Sequence, residues 1–500
     1  MPKLLLMLLL IIGCDMQIPT EQQEPQDALE QKCLSLIKLD NYFCFIDDSS
    51  NTILYPITNN TEINGVIEYS NDYYDNILID DSSVSSGSIY DFGVISTNDT
   101  INIKTVVEGE INNYELIFTT LPIVMIYSNE NIVDEPKISS KILINDIISN
   151  NSYNFYSGIE IRGGTAQYWP KKAYDIELWE NESGSVTKKE ALFGLRNDDD
   201  WILDAMYLDL AKSRNIIGMR IWESIASASY MSEENDARLG QDGIPIELFI
   251  NNEYLGIYSF NEQVDKKQLQ LDDSGGILYK NEKYTPESLM EGIEEEPTAS
   301  PLWAGFELKY PVSFDESIWT PLKELIELVA YSEDEIFSDS IEELIDIDNA
   351  IDYFIFINII QGYDHMGKNM FIMRYNQNYR LAFAPWDLDL SFGVDSPWGD
   401  WVTIDHIMHN RLFDRLYDLD VNGYRDKVKI VWDGINSQSN LYTEIFNRFD
   451  ERINSIVESK AHLRENEKWG FTSNINNELD YINSWLNDRI IVLENYINNN

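Results

Sequence analysis

The rhythm of apolar and polar positions changes along this chain. Between residues 33 and 120, short runs rich in Ile, Val, Tyr and Thr ("NTILYPI", "NGVIEYS", "DNILIDD", "TINIKTVV", "NYELIFTT") are broken by Asn, Asp, Ser and Gly. Strand-length runs between such turn residues predict a small all-β, immunoglobulin-like sandwich. From 121 onward strands continue at 159–163 and 173–178, followed by the helix-like stretch "LDLAKSRNIIGMRIWESIASA". A strand pair, "PIELFINNEYLGIYSFNEQV", turns on Asn251 and Asn252. Past the acidic loop "PESLMEGIEEEPTAS" helices take over, in "WTPLKELIELVAYS" and "IEELIDIDNAIDYFIFINII". At the C-terminus Leu479, Ile482, Trp485, Leu486, Ile490, Leu493 and Ile497 keep the three-four spacing of one buried helical face. The expected class is therefore α+β, with a strand-rich lobe before a helix-rich one, and those aromatic and Met residues are core.

The first residues, "MPKLLLMLLLIIGCDMQ", place one Lys before about nine apolar residues, too few to span a bilayer as a helix. The run ends at Ile11-Ile12-Gly13-Cys14, which resembles the lipobox of bacterial lipoproteins. That resemblance implies cleavage after residue 13 and a lipid on Cys14, hence a membrane-anchored protein in the cell envelope, outside the cytoplasm. Residues 14–32 are polar, with Gln, Glu and Pro, and read as a tether. The expected order is signal peptide 1–13, tether 14–32, sandwich 33–120 and a main domain 121–500. In an oxidising compartment Cys33 and Cys44 are expected to pair as a disulfide.

Charge narrows the functional classes. With 36 basic and 86 acidic residues the net charge is -50, a field that repels nucleic acid. It also repels a nucleotide unless a local cation and a metal ion overcome it.

Against that background one stretch stands out, "GYDHMGKNMFIMRYNQNYRLAFAPWDLDLSFG" at 362–393. "MFIMRYN" and "YRLAFAPW" read as two strands of a hairpin, which sets Asn369 opposite Trp386 and Asp387. Asp387 and Asp389, two apart, share a side in extended chain, and Asp364 lies five residues before Asn369. Hard oxygen donors of this kind suit Mg²⁺ or Mn²⁺. Asp-x-x-x-x-Asn, then a hairpin, then a metal-binding Asp is also the order of parts in protein-kinase catalysis. Upstream, "GIEIRGGTAQYWPKKAYDIEL" joins two strands through Gly163 and Gly164. Counting back from Tyr174 by strand parity, Lys172 points inward and Lys171 away. A Lys beside a glycine turn can meet nucleotide phosphates, and its acidic partner is Asp209 or Glu223. His406 and His409 with Asp405 make a weaker metal-type cluster, and Glu262 suits either the pocket or a strand-end salt bridge.

The ordered set "IRGGTAQYWPKKAYDIEL", "LFGLRNDDDWILDAMYLDLAKSRN", "IELFINNEYLGIYSFNEQVD", "GYDHMGKNMFIM" and "FAPWDLDLSFG" resembles the CotH (spore coat protein H) family of atypical protein kinases. The resemblance implies a two-lobed protein-kinase-like domain. It also implies transfer of the γ-phosphate of ATP to Ser/Thr of secreted or surface proteins, with a divalent metal. Carried over, Asp364 is the catalytic Asp, Asn369 and Asp387 hold metal with Asp389 beside them, and Lys172, with Lys171, Gly163 and Gly164, meets the nucleotide. The turn reads "RGGTAQ" where the family commonly has Asn and Ser after Arg-Gly. Transfer of AMP, or a non-catalytic surface-binding module on a kinase-like scaffold, are the alternatives.

Overall fold

The structure is a computed structural model that describes residues 36–394 and 402–499. The signal segment, the tether, Cys14 and Cys33 lie outside the described residues. No described helix is long and apolar enough to cross a membrane.

Nine strands between Ile37 and Thr119 form one continuous hydrogen-bonded sheet. The strand Tyr42–Asp47 pairs on both sides, with Ile37–Leu39 and with Thr52–Pro56, and so joins what a sandwich would keep as two sheets. Alternating inward residues from both halves, among them Ile37, Ile53, Ile63, Ile77, Ile103 and Phe118, fill a common core. Cys44 is buried there, and burial pushes its thiol up to about 12. This sheet packs on the next unit. Phe43, Phe45 and Leu54 bury against Ile123, Met125, Leu143 and Phe249. The buried Asn145 also exchanges two hydrogen bonds, at 3.0 and 2.8 Å, with the backbone of Phe43.

Seven strands then close into a barrel, from Ile123–Tyr127 round to Gly243–Ile250, the closing pair being parallel. Its interior is apolar, with Ile142, Ile159, Ile176, Trp201, Leu248 and Phe260 fully or nearly fully buried. Asn251 and Asn252 take the left-handed conformation (φ 51 and 61) at the expected hairpin turn, as short-polar residues do there. A five-stranded sheet follows, ordered Leu302–Trp303, Phe306–Tyr310, Ile277–Asn281, Met370–Arg374, Ala382–Pro385.

Helices pack on that sheet. Ile347–Ile360 is buried all round because it runs through the middle of the largest core. The expected helical run at 341–360 is broken at Ile345, and Asp346 caps the second segment. Asp346 also accepts Ser229 N at 2.6 Å, so the cap fixes the helix to the preceding lobe. The C-terminal helix Ile475–Asn499 buries Ile482, Trp485, Leu486, Leu493 and Ile497 of the expected face. Its Arg489, also buried, donates to the carbonyls of Asn358, Ile404 and His406 at 2.6–2.8 Å, replacing water at three otherwise buried acceptors.

Candidate functional site

The helix Ile347–Ile360 stops at Gln361, whose left-handed φ of 50 turns the chain out through Gly362 into a 3-10 turn, Tyr363–Met366. That turn carries Asp364. Lys368 Nζ lies 3.1 Å from Asp364 Oδ2, and Asn369 Nδ2 lies 3.4 Å from the same oxygen. Asn369 (φ 52) then feeds the strand Met370–Arg374. In the hairpin Met370 pairs with Pro385, and Trp386 N donates to Asn369 O at 3.1 Å. Asn369 Nδ2 reaches Asp387 O at 3.4 Å. The hairpin geometry expected from the sequence thus gathers Asp364, Asn369 and Asp387 at one mouth.

One detail differs. The strand ends at Pro385, and Asp387 is left-handed (φ 59), so strand alternation does not apply to Asp387 and Asp389. The loop is held instead by packing. Leu388 lies so close to Gly218 that a Cβ there would sit 2.7 Å from its Cδ1, and Leu388 N donates to Asn215 Oδ1 at 3.1 Å. Asn215 Nδ2 in turn donates to Asp204 Oδ2 at 3.0 Å. Asp204 ends the barrel strand Asp200–Asp204 and was not singled out by the sequence. Its Asn215 link brings a barrel carboxylate to the loop of the helical lobe.

The result is a cluster of like charges. Burial, then the charges of Asp204 and Asp364, push the Asp387 carboxyl up to about 6, while Lys368 and Arg162 pull it the other way. Burial, then Asp387, Asp204, Asp209 and Asp364, hold Asp389 well above the usual carboxylate range. A divalent cation would relieve both the desolvation and the repulsion, so this all-oxygen donor set fits Mg²⁺ or Mn²⁺. His365 is no base here. It is buried, its Nε2 lies 3.0 Å from Trp386 O, and burial lowers it to about 4, so the ring is neutral.

The lysines fall differently from the parity expectation. Residues 165–168 form a 3-10 turn and the strand begins only at Ala173, so the extended-chain count does not reach back to Lys172. Lys172 Nζ donates to Gln167 O and Trp169 O of its own loop, at 2.5 and 2.6 Å. Lys171 is the inward one. It is fully buried, with Nζ 2.5 Å from Ile257 O and 2.8 and 3.0 Å from the two oxygens of Glu465. Burial lowers it to about 7 against the pull of Glu465. Lys212 shares that carboxylate at 3.1 Å. The acidic partner is therefore Glu465, in the helix Ala461–Trp469, and neither expected candidate. Asp209 caps the helix Arg214–Ile225 through Ser213 N and Arg214 N (2.6 and 2.7 Å), and Glu223 accepts Gly240 N at 2.7 Å. Nothing in local sequence marks Glu465, which lies 294 residues from Lys171.

Gly163 (φ +93) and Gly164 are exposed at the turn between the strands Asn151–Arg162 and Ala173–Trp179. Glu262 is the salt bridge, 2.9 Å from Arg238 Nη1. His409 Nδ1 lies 2.6 Å from Asp414, and its ring is 6.1 Å from that of His406. Among the described residues, the group of three whose oxygens all lie within 4.8 Å is Glu177, Asp199 and Asp200. Lys267 already occupies part of that group, at 3.0 Å from Asp199 and 2.9 Å from Asp200.

Comparison with curated proteins finds no match. Residues 159–493 match the family described as CotH kinase protein. That span exceeds half of the chain and runs from the strand before the glycine turn to the C-terminal helix, taking in Asp204, Asp364, Asn369, Asp387 and Glu465. The chain belongs to the CotH kinase protein family.

Proposed function

We propose that this chain is an atypical protein kinase that transfers the γ-phosphoryl group of ATP to Ser or Thr hydroxyls of secreted or surface proteins. The observation that carries this reading is the convergence of Asp364, Asn369, Asp387 and Asp389, with Asp204, into a cluster whose carboxylates repel one another unless a cation joins them. The barrel and the helical lobe serve as the two lobes of a kinase-like domain, with ATP between the Gly163–Gly164 turn and the carboxylates.

Asp364, steadied by Lys368 and Asn369, orients the acceptor hydroxyl and takes its proton. The acceptor oxygen bonds to the γ-phosphorus as the bond from that phosphorus to the β–γ bridging oxygen breaks, and ADP leaves. Asn369, Asp387 and Asp389 would hold Mg²⁺ or Mn²⁺, which supplies positive charge to the phosphate oxygens. The Lys171–Glu465 pair joins the barrel to the helix Ala461–Trp469, so it keeps the two lobes in register. Cys14 anchors the mature chain by lipid to a bacterial membrane, and the -50 charge keeps nucleic acid away from the partners it meets.

Incubation with γ-labelled or α-labelled ATP, metal and a Ser-rich acceptor tests the reading. Label passing to the acceptor from the γ position alone is the expected result. Label from the α position would mean AMP transfer, and none from either would mean a binding module.

A further inference from the structure

The cleft needs a cation for phosphate, yet most of its cations are already committed. Lys368 is on Asp364 at 3.1 Å. Lys171 has three acceptors for its three N–H groups, and Lys212 donates to Met206 O and Glu465. Lys172 is tied to its own loop. Lys280 pairs with Glu282 at 2.8 Å and lies 3.9 Å over the Trp386 ring. Each would have to break a contact to meet an anion.

Arg162 differs. It is the last residue of the strand Asn151–Arg162, its backbone held in register opposite Ala173, and the exposed glycine turn begins at the next residue. Its guanidinium nitrogen Nη1 is buried without a hydrogen-bond partner. A buried, unsatisfied N–H of a charged group is costly and calls for an acceptor. Tyr174 pairs with both Ile161 and Leu203, so Arg162 and Asp204, each the next residue of its strand, leave the barrel at the same edge.

We propose that Arg162 binds the phosphate chain of the nucleotide beside Asp387, its forked N–H groups donating to two phosphate oxygens where a lysine would offer a point charge. This rests on the kinase reading above. It adds that the phosphate-binding cation comes from the strand end before Gly163, with Lys171 and Lys172 serving structure. A side chain at 163 would strain the turn that follows Arg162, because Gly163 holds a φ of +93 that favours glycine.

Calorimetry with ATP, inorganic tripolyphosphate and AMP, each with Mg²⁺, on the full chain and on Arg162→Met, Arg162→Gln and Arg162→Lys tests this. A lost charged hydrogen bond should weaken ATP and tripolyphosphate by about tenfold to a hundredfold. AMP should change little, Arg162→Lys should recover part of the loss, and the ligand-free melting temperature should hold. Equal ATP binding by wild type and Arg162→Met, or an equal loss for AMP, overturns the assignment and leaves the kinase reading standing. Failure of the wild type to bind either polyphosphate overturns both. If Arg162→Met does not fold, the ordering of affinities from wild type through Arg162→Lys to Arg162→Gln decides by the same criteria.

Discussion

Replacing Asp387 by Asn separates a metal-holding carboxylate from a structural one. Asn has the same size and tolerates the left-handed φ of 59 at this position, so the backbone gains no strain. Burial and the charges of Asp204 and Asp364 raise the carboxyl from 3.8 to about 6. A shift of that size corresponds to about 3 kcal/mol against the ionised form, and partial exposure of the side chain reduces it to about 1–2 kcal/mol. The sign follows from proton binding. Between 3.8 and about 6 the folded protein holds more proton than the unfolded chain, so stability from this group falls as pH rises through that window. Above about 6 the cost is complete, and Asn avoids it.

The ligand-free Asp387→Asn protein should therefore melt a few degrees higher than wild type at pH 7.5, and the gain should vanish near pH 4, where both side chains are neutral. Mg²⁺ with ATP should raise the melting temperature of wild type and leave the variant nearly unmoved. Scanning calorimetry with and without Mg²⁺-ATP at the two pH values reads all four quantities. A variant that melts lower than wild type at pH 7.5 without ligand would show that Asp387 is a paired structural group. An undiminished ATP shift would show that it holds no metal.

Asp364→Asn should leave Mg²⁺-ATP affinity in place and lower turnover by about a hundredfold or more, checked by calorimetry beside a phosphotransfer assay. Mg²⁺ affinity of the wild type should weaken as pH falls through about 6, because Asp387 must lose its proton to bind; titration at pH 5 and 7.5 checks the direction. Glu465→Gln leaves Lys171 and Lys212 buried without a counter-charge and should destabilise by about 3–5 kcal/mol, seen in denaturant unfolding. Cys14→Ser should move the protein from the membrane to the soluble fraction or leave it unprocessed, as fractionation would show.

What the sequence reveals of this site is its local part. The hairpin that sets Asn369 against Trp386 has short strands of fixed pleat, so pairing follows from spacing. The Asn251–Asn252 turn and the three-four face of the last helix are equally local. Parity fails where the backbone is not extended, which is why Lys171 and Lys172 exchange places beside the 3-10 turn and why Asp387 leaves the strand alternation. Asp204 and Glu465 enter through contacts across the chain, Asn215 to Leu388 and Lys171 to Glu465, that no periodicity encodes. The N-terminal runs show strands clearly. That they form one continuous sheet docked on a barrel depends on Phe43, Phe45 and Phe249 meeting, which patterning alone does not specify.

Charge placement offers a criterion that does not depend on resemblance. Several buried carboxylates elsewhere in this acidic chain are paired with cations. Glu262 meets Arg238, Glu247 takes a forked pair from Arg464 at 2.6 and 2.8 Å, and Asp198, Asp199 and Asp200 surround Lys267. Those sites are closed, and removing either partner should cost stability. Asp387 and Asp389 face Asp204 and Asp364, and among the described residues Lys368 and Arg162 offset the charge of Asp387. The repulsion at Asp387 and Asp389 gains the fold nothing in the ligand-free state, and its cost is recovered when a cation and a phosphate chain fill the gap. Neutral variants at the closed sites should therefore unfold more easily, while neutral variants at the open one should unfold less easily and bind less. Opposite signs for Glu465→Gln and Asp387→Asn in the same melting experiment would establish that division, and equal signs would refute it.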